Sequence, residues 1–581
     1  MKIIFITTAF NGMSQRLWVE LDRLNHQVKV HIASTSENMI KAVDSYKPNL
    51  IICPFLTSKI PADVYEKYTC LIVHPGIKGD RGASSLDWAI LQNKKKWGVT
   101  ILQAVEKMDA GAIWASNEFE MRNVSKGEIY RNEVTQAASK GVLQALENFQ
   151  NKDFTPKKID YSNPTIKGKW NKKTTQNNFQ FSWEEDTETI IRKINAADSS
   201  PGVKIELYNE EYYCYGAHLE EKLKGNSGEI IAQRNNAVCI ATKNDAIWFT
   251  HLKNVEKGHI KLPATIALGN SSKKIPISNC SPFEEINHQT WQEIRFEEKN
   301  NIGYIHFDFY NGTMDTNQCN RLRETIVEAK KRCKLLVLMG GKDVWSNGIH
   351  LNVIENSKNS ADESWVNINA IDDLILEIIN STDHYIICSL QGNAGAGGVS
   401  LALSGDKVIS RNGIVLNPHT KNMGLYGSEY WTYLLPKRIG IEKATKFTEE
   451  CLPWGVSVAK DIGLIDDFYG ETNQEFVKFV ENQAESILNL SYFDKLLKAK
   501  QFQRRKDEMN RPLTKYRKEE LVKMKTNFYN NDMNYDEKRY NFVHKIQNEN
   551  TNDIADLYKS RRTIYRKRKW ENIQYKDKNE Q

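Results

Sequence analysis

The chain has 581 residues, 40% hydrophobic and 26% charged, with a formal net charge of +7. At roughly 100–200 residues per domain, this length excludes a single small module, and the composition excludes a fibrous or disordered chain. No apolar run approaches the roughly 18 residues needed to cross a bilayer, which excludes a membrane-spanning protein. The nine cysteines form no C-x-x-C pair, so we expect reduced thiols in the cytoplasm and no metal site.

The N-terminal region, which we place at 1–155, alternates between two kinds of segment. Apolar strand-like runs and amphipathic helix-like runs follow one another at 2–6, 14–24, 28–33, 37–46 and 50–55. This alternation predicts a doubly wound, Rossmann-like parallel sheet. Ligands of such sheets bind beyond the carboxyl ends of the strands. His74, which directly follows the strand predicted at 70–73, occupies such an end.

Three further regions follow. Short strand-like pieces separated by Asn, Gly and charged turns predict a small β-barrel at 156–285. A second α/β pattern, with strands predicted at 302–307, 335–339 and 385–390, occupies 286–490. Strand signals then disappear, and apolar residues at helical spacing predict a helical extension at 491–581. The chain is therefore expected to be an α/β multidomain protein.

Two polar groups in the first region fit acyl-transfer chemistry. His74 precedes a sharp Pro-Gly turn, and Asp109 lies in the loop after the next predicted strand. Moving an acyl carbon between nucleophiles passes through a tetrahedral oxyanion, which needs a donor such as His and a carboxylate that orients it or moves a proton. The alternative is that His74 caps a loop and Asp109 makes a turn.

The segments 74–90, 98–102 and 108–111 resemble the formyl-tetrahydrofolate-dependent formyltransferases, and the segment 190–197 is similar to the OB-like C-terminal domain of the methionyl-tRNA members. The resemblance implies formyl-tetrahydrofolate as substrate and catalytic roles for His74 and Asp109. One position departs from it, because the family has Asn two residues before the His and this chain has Ile72. How the formyl oxygen is polarised is therefore open.

Three side chains are candidates for binding a folate or nucleotide tail. Gln15 and Arg16 open the first predicted helix, where free N–H groups and a cation can hold an anion, and Arg131 lies on a later helix. The alternative for each arginine is a solvated charge on a helix surface.

Two glycine-rich turns, at 340–351 and 391–402, each follow an apolar strand. Together, two such turns can aim two N–H groups at one carbonyl oxygen. They resemble the turns of the crotonase (enoyl-CoA hydratase/isomerase) family, which implies that coenzyme A thioesters bind here. The implied oxyanion hole consists of the N–H groups of Ile349 and Gly397, with Gly398 in the same turn. Ser400 and His419 replace the two catalytic glutamates of the hydratases, so hydration is not expected.

A polar loop at 417–431 supplies other candidates for catalysis. Glu429, beside Tyr426 or His419, could remove a proton from a small acyl group or protonate a departing thiolate if burial raises its pKa. The alternative is a Glu that merely favours a helix N-terminus.

A formyltransferase followed by a thioester domain resembles the HypX/HoxX-type maturation factors of [NiFe] hydrogenases. The resemblance implies formyl transfer to coenzyme A, release of carbon monoxide, and hydrogenase maturation proteins as partners. Two alternatives remain: a tRNA-type formyltransferase with a non-catalytic fusion, or an assembly scaffold. The densest basic run, 561–570, could contact coenzyme phosphates, an acidic partner or nucleic acid, but such runs are usually solvated and we do not expect nucleic-acid binding.

Overall fold

The computed structural model describes residues 1–256 and 260–546, so the basic run at 561–570 lies outside the described residues. Among the described helices, none combines the length and the apolar character that a membrane span requires. Three regions of regular structure follow one another along the chain, and each has its own sheet.

The N-terminal region is a six-stranded sheet covered by helices on both faces. Its elements are β1 (Lys2–Thr7), α1 (Gly12–Arg23), β2 (Gln27–Ile32), α2 (Ser36–Tyr46), β3 (Leu50–Cys53), α3 (Ala62–Tyr65), β4 (Cys70–His74), α4 (Ser85–Leu91), β5 (Lys96–Gln103), β6 (Ile113–Glu120), α5 (Lys126–Ile129) and α6 (Thr135–Gln150). The strand order is β2-β1-β3-β4-β5-β6. One apolar cluster packs α1, α4 and α6 on one face, and another packs α2 and α3 on the opposite face.

The sequence predicted a doubly wound, Rossmann-like parallel sheet; the first four strands in the order are parallel, and two antiparallel pairs extend the sheet at one edge. The pairs β1–β2, β1–β3 and β3–β4 are parallel, but β4–β5 and β5–β6 are antiparallel. The physical reason is clearest for β5 and β6, since the short loop at 104–112 cannot carry the helical crossover that a parallel pair needs. That loop holds Asp109.

The middle region is an antiparallel sheet with the order β7-β8-β11-β10-β9, and β12 pairs with β11. Its elements are α7 (Gln176–Phe179), α8 (Thr187–Ala197), β7 (Val203–Leu207), β8 (Glu210–Glu220), β9 (Ile230–Arg234), β10 (Ala237–Ala241), β11 (Ala246–Asn254), β12 (Leu262–Pro263) and α9 (Ala264–Leu268). Tyr208-Asn209 and Asn235-Asn236 have positive φ and form the two-residue turns that suit twisted hairpins. The strands predicted here are therefore present.

The third region repeats one unit: a strand enters a large sheet, the next strand enters a small sheet, and a helix follows. Its elements are β13 (Ile294–Lys299), β14 (Ile302–Phe307), β15 (Thr313–Met314), α10 (Thr316–Lys330), β16 (Leu335–Leu338), β17 (Val344–Ser346), β18 (Gly348–Ile349), α11 (Leu351–Asn356), α12 (Ser360–Ile379), β19 (Tyr385–Leu390), β20 (Asn393–Gly395), α13 (Gly397–Leu403), β21 (Lys407–Arg411), β22 (Val415–Asn417), α14 (Trp431–Ile439), α15 (Ile441–Glu450), β23 (Trp454–Gly455), α16 (Val456–Asp461), β24 (Asp467–Tyr469) and α17 (Asn473–Leu488). The sheets have the orders β13-β14-β16-β19-β21-β24 and β17-β20-β22-β23.

Three helices follow residue 490: α18 (Phe493–Asn510), α19 (Leu513–Tyr529) and α20 (Tyr535–His544). They contact the third region, with α19 against α12 and α14 and α20 against α11. Met524, Phe528 and Tyr535 are buried in the same apolar core as α12 and α14. These helices therefore complete the core of the third region.

Candidate functional site

The first site lies where β4 ends at the buried His74. Its Nε2 lies 3.0 Å from Oδ2 of Asp80, and its Nδ1 lies 3.7 Å from Oδ2 of Asp109. A Cβ on Gly76 would lie 2.4 Å from Nε2 of His74 and 2.5 Å from Oδ2 of Asp80, so glycine makes room for their contact. The fold thus brings His74 and Asp109 together and adds Asp80.

These carboxylates favour the protonated form of the imidazole. Burial lowers the pKa of His74, but the hydrogen bond to Asp80 and the charge of Asp109 outweigh burial and raise that pKa above its ordinary value. Asp109 has a φ of 52° and accepts a hydrogen bond from the N–H of Gly82 at 3.2 Å, which fixes its carboxylate in place. The arrangement holds a proton donor beside two carboxylates, as collapse of a tetrahedral oxyanion requires.

Ile72, two residues before His74, carries no polar group. Its side chain packs against an apolar cluster that includes Ile51 and Cys53. A side-chain amide approaches from elsewhere, because Nδ2 of Asn171 donates to Oδ1 of Asp80 at 3.3 Å.

Gln15 joins the two halves of the chain. Asn11 caps α1 by accepting a hydrogen bond from the N–H of Ser14 at 3.0 Å, so that N–H is not free for an anion. The amide of Gln15 donates to the carbonyl of Phe10 at 2.9 Å and accepts from Nδ2 of Asn417 at 3.3 Å. Gln15 therefore reaches from the first region to the loop that begins with Asn417.

Arg16 and Arg131 also lie where the first and third regions meet. Arg16 pairs with Glu20 at 2.9 Å, and its guanidinium lies so close to Gly413 that a Cβ there would be 1.3 Å from Nη1. Nη1 of Arg131 donates to Oδ1 of Asn311 at 3.3 Å. Within the described residues, the buried Nε atoms of both arginines have no hydrogen-bond partner. Two unsatisfied cationic donors at this boundary suit an anionic ligand.

The second site is formed by the two glycine-rich turns, which lie side by side. Ile349 ends β18, and Gly397 begins α13. A Cβ on Gly348 would lie 3.2 Å from the N of Gly397, and a Cβ on Gly398 would lie 2.1 Å from the carbonyl oxygen of Ser346. This close packing of backbones requires glycine, and it places together the two turns from which the oxyanion hole was predicted.

The carboxyl group of Glu429 lies against Gly397. A Cβ on Gly397 would fall 2.1 Å from Oε1 of Glu429, and the other oxygen accepts a hydrogen bond from the N–H of Ser428 at 2.8 Å. Burial, with the charges of Asp372 and Glu520, raises the pKa of Glu429 to about 8. A carboxyl with this pKa can exchange a proton near neutral pH.

Asp372, on α12, fixes the backbone that carries Glu429. Its carboxylate accepts hydrogen bonds from Oγ of Ser428 at 2.9 Å and from the N–H of Glu429 at 2.8 Å. Burial raises the pKa of Asp372 to about 7 although Nε of Arg517 lies 3.7 Å away. Asp372 thus positions Glu429, whose φ is 61°, and opposes its ionisation.

Glu520, on α19, binds the next turn of the same loop. It accepts hydrogen bonds from the N–H groups of Tyr430 at 3.0 Å and Thr432 at 2.9 Å. Burial and the charge of Asp372 raise the pKa of Glu520 to about 8. Two buried carboxyl groups, those of Asp372 and Glu520, therefore lie near Glu429, the acid of the second site.

His419 lies beside the cradle, our name for the two adjoining glycine-rich turns at 340–351 and 391–402. Its Nδ1 is 2.8 Å from the carbonyl oxygen of Asn417, which accepts the hydrogen bond and leaves Nε2 as an acceptor. Burial lowers the pKa of His419, so the ring is held neutral. A Cβ on Gly395 would lie 3.0 Å from Cε1 of His419.

The ring of Tyr426 contacts side chains other than that of Glu429. Its ring lies 5.4 Å from that of Trp431, and the ammonium of Lys523 lies 4.0 Å from its centre. In the part of the chain that the structure describes, no hydrogen bond joins its hydroxyl to Glu429. Of the two candidate companions of Glu429, the structure thus places His419 at the cradle.

The sequence prediction missed Asp80, Asp372 and Glu520. Asp80 lies within the motif at 79–82, but its spacing from His74 did not reveal that the loop folds back. Asp372 interrupts the apolar face formed by Ile368, Ile371 and Ile375, a pattern that could have identified it. Glu520 is surrounded by lysines in a polar helix, where no signal marks it.

Comparisons with known proteins agree with this architecture. The family described as formyl transferase matches residues 23–146, the formyl transferase C-terminal domain matches 173–267, and enoyl-CoA hydratase/isomerase matches 298–551. The methionyl-tRNA formyltransferase of Bacillus velezensis is 27% identical over 230 residues, which are 39% of this chain and 71% of that protein. Relatives of this kind therefore account for the N-terminal half alone.

Two relatives cover nearly the whole chain. Hydrogenase maturation factor HoxX of Bradyrhizobium diazoefficiens is 40% identical over 555 residues, 95% of this chain and 96% of that protein. The crystal structure of HypX from Aquifex aeolicus in complex with tetrahydrofolic acid matches with a TM-score of 0.93 and 44% identity, over 96% of this chain and 98% of that one. The chain belongs to the HypX/HoxX family of hydrogenase maturation factors, which join a formyltransferase to a crotonase-like domain.

Proposed function

We propose that this protein transfers a formyl group from formyl-tetrahydrofolate to coenzyme A and then releases carbon monoxide from formyl-CoA for hydrogenase maturation. The observation that carries the proposal is the carboxyl of Glu429, held against Gly397 in a cradle suited to a thioester. The tetrahydrofolic acid in the related HypX structure supports a folate donor. Folate and coenzyme A are both substrates of this sequence of reactions.

In the first step, His74 and Asp109 serve the attack of the thiol sulfur on the formyl carbon. The imidazolium of His74 stabilises the oxyanion, and Asp109 takes the thiol proton, which passes to the folate nitrogen as the C–N bond breaks. Free tetrahydrofolate and formyl-CoA are the products.

In the second step, Glu429 in its ionised form takes the formyl proton while the N–H groups of Ile349 and Gly397 hold the carbonyl oxygen. The C–S bond breaks, carbon monoxide leaves, and Glu429 returns its proton to the thiolate. Atoms and electrons balance without an oxidant or reductant. A formyl group has no α-carbon, so the crotonase reactions that pass through an enolate are not open to it.

Residues at the boundary between the two halves fit an anionic substrate that serves both sites. Arg131 binds Asn311, and Asn347 donates to the carbonyl of Asn311 at 2.7 Å. Asn347 in turn adjoins the cradle, since a Cβ on Gly395 would lie 2.5 Å from its Oδ1. We assign Gln15, Arg16 and Arg131 to the binding of coenzyme A between the sites.

The test is anaerobic incubation with formyl-tetrahydrofolate and coenzyme A, with carbon monoxide followed by the Soret shift of reduced myoglobin. We expect the shift to need both substrates. His74→Ala should stop release of tetrahydrofolate and of carbon monoxide. Glu429→Gln should still release tetrahydrofolate but accumulate formyl-CoA, and Glu449→Gln, an exposed acid in the same domain, is the matched control.

Two results would contradict the proposal. One is an unchanged rate of carbon monoxide release in Glu429→Gln. The other is no carbon monoxide from the unaltered protein together with formylation of methionyl-tRNA, which would identify a tRNA-type formyltransferase.

A further inference from the structure

A positively charged segment crosses the surface next to the first site. Residues 155–175, which we call the basic strap, contain a single acid, Asp160, and the lysines Lys157, Lys158, Lys167, Lys169, Lys172 and Lys173. All six lysines are exposed. Among the described residues, none of their ammonium groups is in an ion pair, so the strap is a concentrated and unneutralised positive charge.

Main-chain atoms of the strap bind Arg81, in the loop that follows His74, and Trp88, on α4. The N–H of Arg81 donates to the carbonyl of Lys169 at 3.2 Å, and the N–H of Asn171 donates to the carbonyl of Arg81 at 3.0 Å. Nε1 of Trp88 donates to the carbonyl of Lys172 at 2.8 Å. These contacts use main-chain atoms of the strap, which leaves the ammonium groups of Lys169 and Lys172 free for a ligand.

The strap also lies close to the reacting centre. Asn171 donates to Oδ1 of Asp80 at 3.3 Å, and Oδ2 of Asp80 lies 3.0 Å from Nε2 of His74. Two side-chain contacts therefore connect the strap to the imidazole. Lys169 and Lys172 are exposed and lie within two residues of Asn171 in the chain, so the backbone that carries them is held next to this site.

We propose that the basic strap binds the γ-linked polyglutamate tail of the folate donor. The inference rests on the proposed folate-dependent formyl transfer. Because the formyl carbon must reach His74, the glutamate end of the elongated folate has to leave the site at its rim. Each further glutamate adds one carboxylate to a flexible anionic chain, and mobile lysines suit such a chain better than a rigid fork of donors does.

The charge pattern also separates this occupant from a nucleic acid. A protein that makes about six to ten phosphate contacts has its cations distributed along the nucleic acid, whereas these six lysines lie on one short segment. Single exposed ion pairs are weak, so the strap should discriminate by the number of glutamates and not by any one contact.

The experiment measures binding of tetrahydrofolate with one and with four glutamates by isothermal calorimetry in low and high salt. We expect roughly tenfold tighter binding of the tetraglutamate at low salt, and little preference once salt screens the exposed charges. In Lys169→Gln/Lys172→Gln the preference should fall to about twofold while monoglutamate affinity stays unchanged. Lys41→Gln/Lys67→Gln, exposed on the opposite face of the sheet, is the matched control.

Equal affinity for the two folates, or a preference that survives in Lys169→Gln/Lys172→Gln, would overturn the inference. So would loss of tRNA binding in that variant with the glutamate preference intact, because the strap would then be an RNA surface. Neither readout needs coenzyme A or carbon monoxide. If the monoglutamate does not bind at all, the proposed function fails together with this inference; if it binds as well as the tetraglutamate, only this inference fails.

Discussion

The two sites each place one buried titratable group at their centre, but they surround it differently. His74, whose protonated ring is positive, lies between two negatively charged carboxylates, those of Asp80 and Asp109. Glu429 lies among carboxyls of its own kind, with Asp372 and Glu520 nearby. Both arrangements raise a pKa, yet the first stabilises a charged group and the second disfavours one.

This difference indicates how each site takes up and releases a proton. The pKa of His74 is raised above its ordinary value, which favours the imidazolium form that can stabilise a developing negative charge. The carboxyl of Glu429 has a pKa of about 8 and is ready both to take a proton and to return it. The first arrangement fits the proposed transfer of a formyl group, and the second fits the proposed breakdown of formyl-CoA.

The largest expected effect comes from Gly397→Ala. The added Cβ would fall 2.1 Å from Oε1 of Glu429, so the acid must move from the cradle. Carbon monoxide release should fall about 100- to 1,000-fold, the effect of losing a preorganised group of this kind, with tetrahydrofolate release retained. The myoglobin assay and folate absorbance measure the two steps separately, and a parallel loss of both would refute the independence of the sites.

Asp80→Asn should weaken the first site alone. Without the charge of Asp80, the pKa of His74 falls, so formyl transfer should slow by about 10- to 100-fold. The decline of its rate at higher pH should begin at a lower pH than in the unaltered protein. Release of tetrahydrofolate measured across pH checks this. Asp160→Asn, an exposed acid of the strap, is the control, and an unchanged decline at higher pH would show that Asp80 does not act on the imidazole.

Asp372→Asn tests whether a neighbouring like charge raises the pKa of Glu429 in the second site. Removing one like charge should lower the pKa of Glu429 from about 8, so the pH at which carbon monoxide release reaches half its maximum should fall by about one unit. Asp373→Asn changes the adjacent, more exposed acid, which pairs with Arg517, and should leave the midpoint unchanged. A lower rate with no shift in midpoint would mean that Asp372 only supports the loop.

The smallest effect is on stability. Between the ordinary value of 4.5 and about 8, folded Glu429 keeps a proton that the unfolded chain has released, so its contribution to stability falls as pH rises through this range. Asp372 and Glu520 act in the same direction. Between pH 5 and pH 8, the free energy of unfolding of Glu429→Gln should therefore fall by about 1–3 kcal/mol less than that of the unaltered protein. Urea unfolding at the two pH values measures this difference. Equal losses would argue against a raised pKa.

The sequence predicted more of the first site than of the second. The alternating strands and the short motifs around His74 and Asp109 lie within 40 residues of each other, and the hydrogen-bonded sheet joins them directly. The mixed direction of β5 and β6 escaped prediction because periodicity identifies strands but not their relative direction.

The second site depends on distant parts of the chain. The glycine-rich turns around Ile349 and Gly397 were recognisable because close backbone approach requires glycine. Asp372 and Glu520, in contrast, reach Glu429 from α12 and α19, and helix packing alone brings them there. No local pattern in the sequence records a contact of that kind.

The position of Glu520 has a consequence for the order in which the protein is made. The groups of the first site, His74, Asp80 and Asp109, all lie early in the sequence and are synthesised first. The loop carrying Glu429 acquires its hydrogen bonds to Glu520 only after residue 520 has been synthesised. In the proposed mechanism, a chain interrupted before α19 would contain the groups for formyl transfer but would lack Glu520, which holds the loop of the second site.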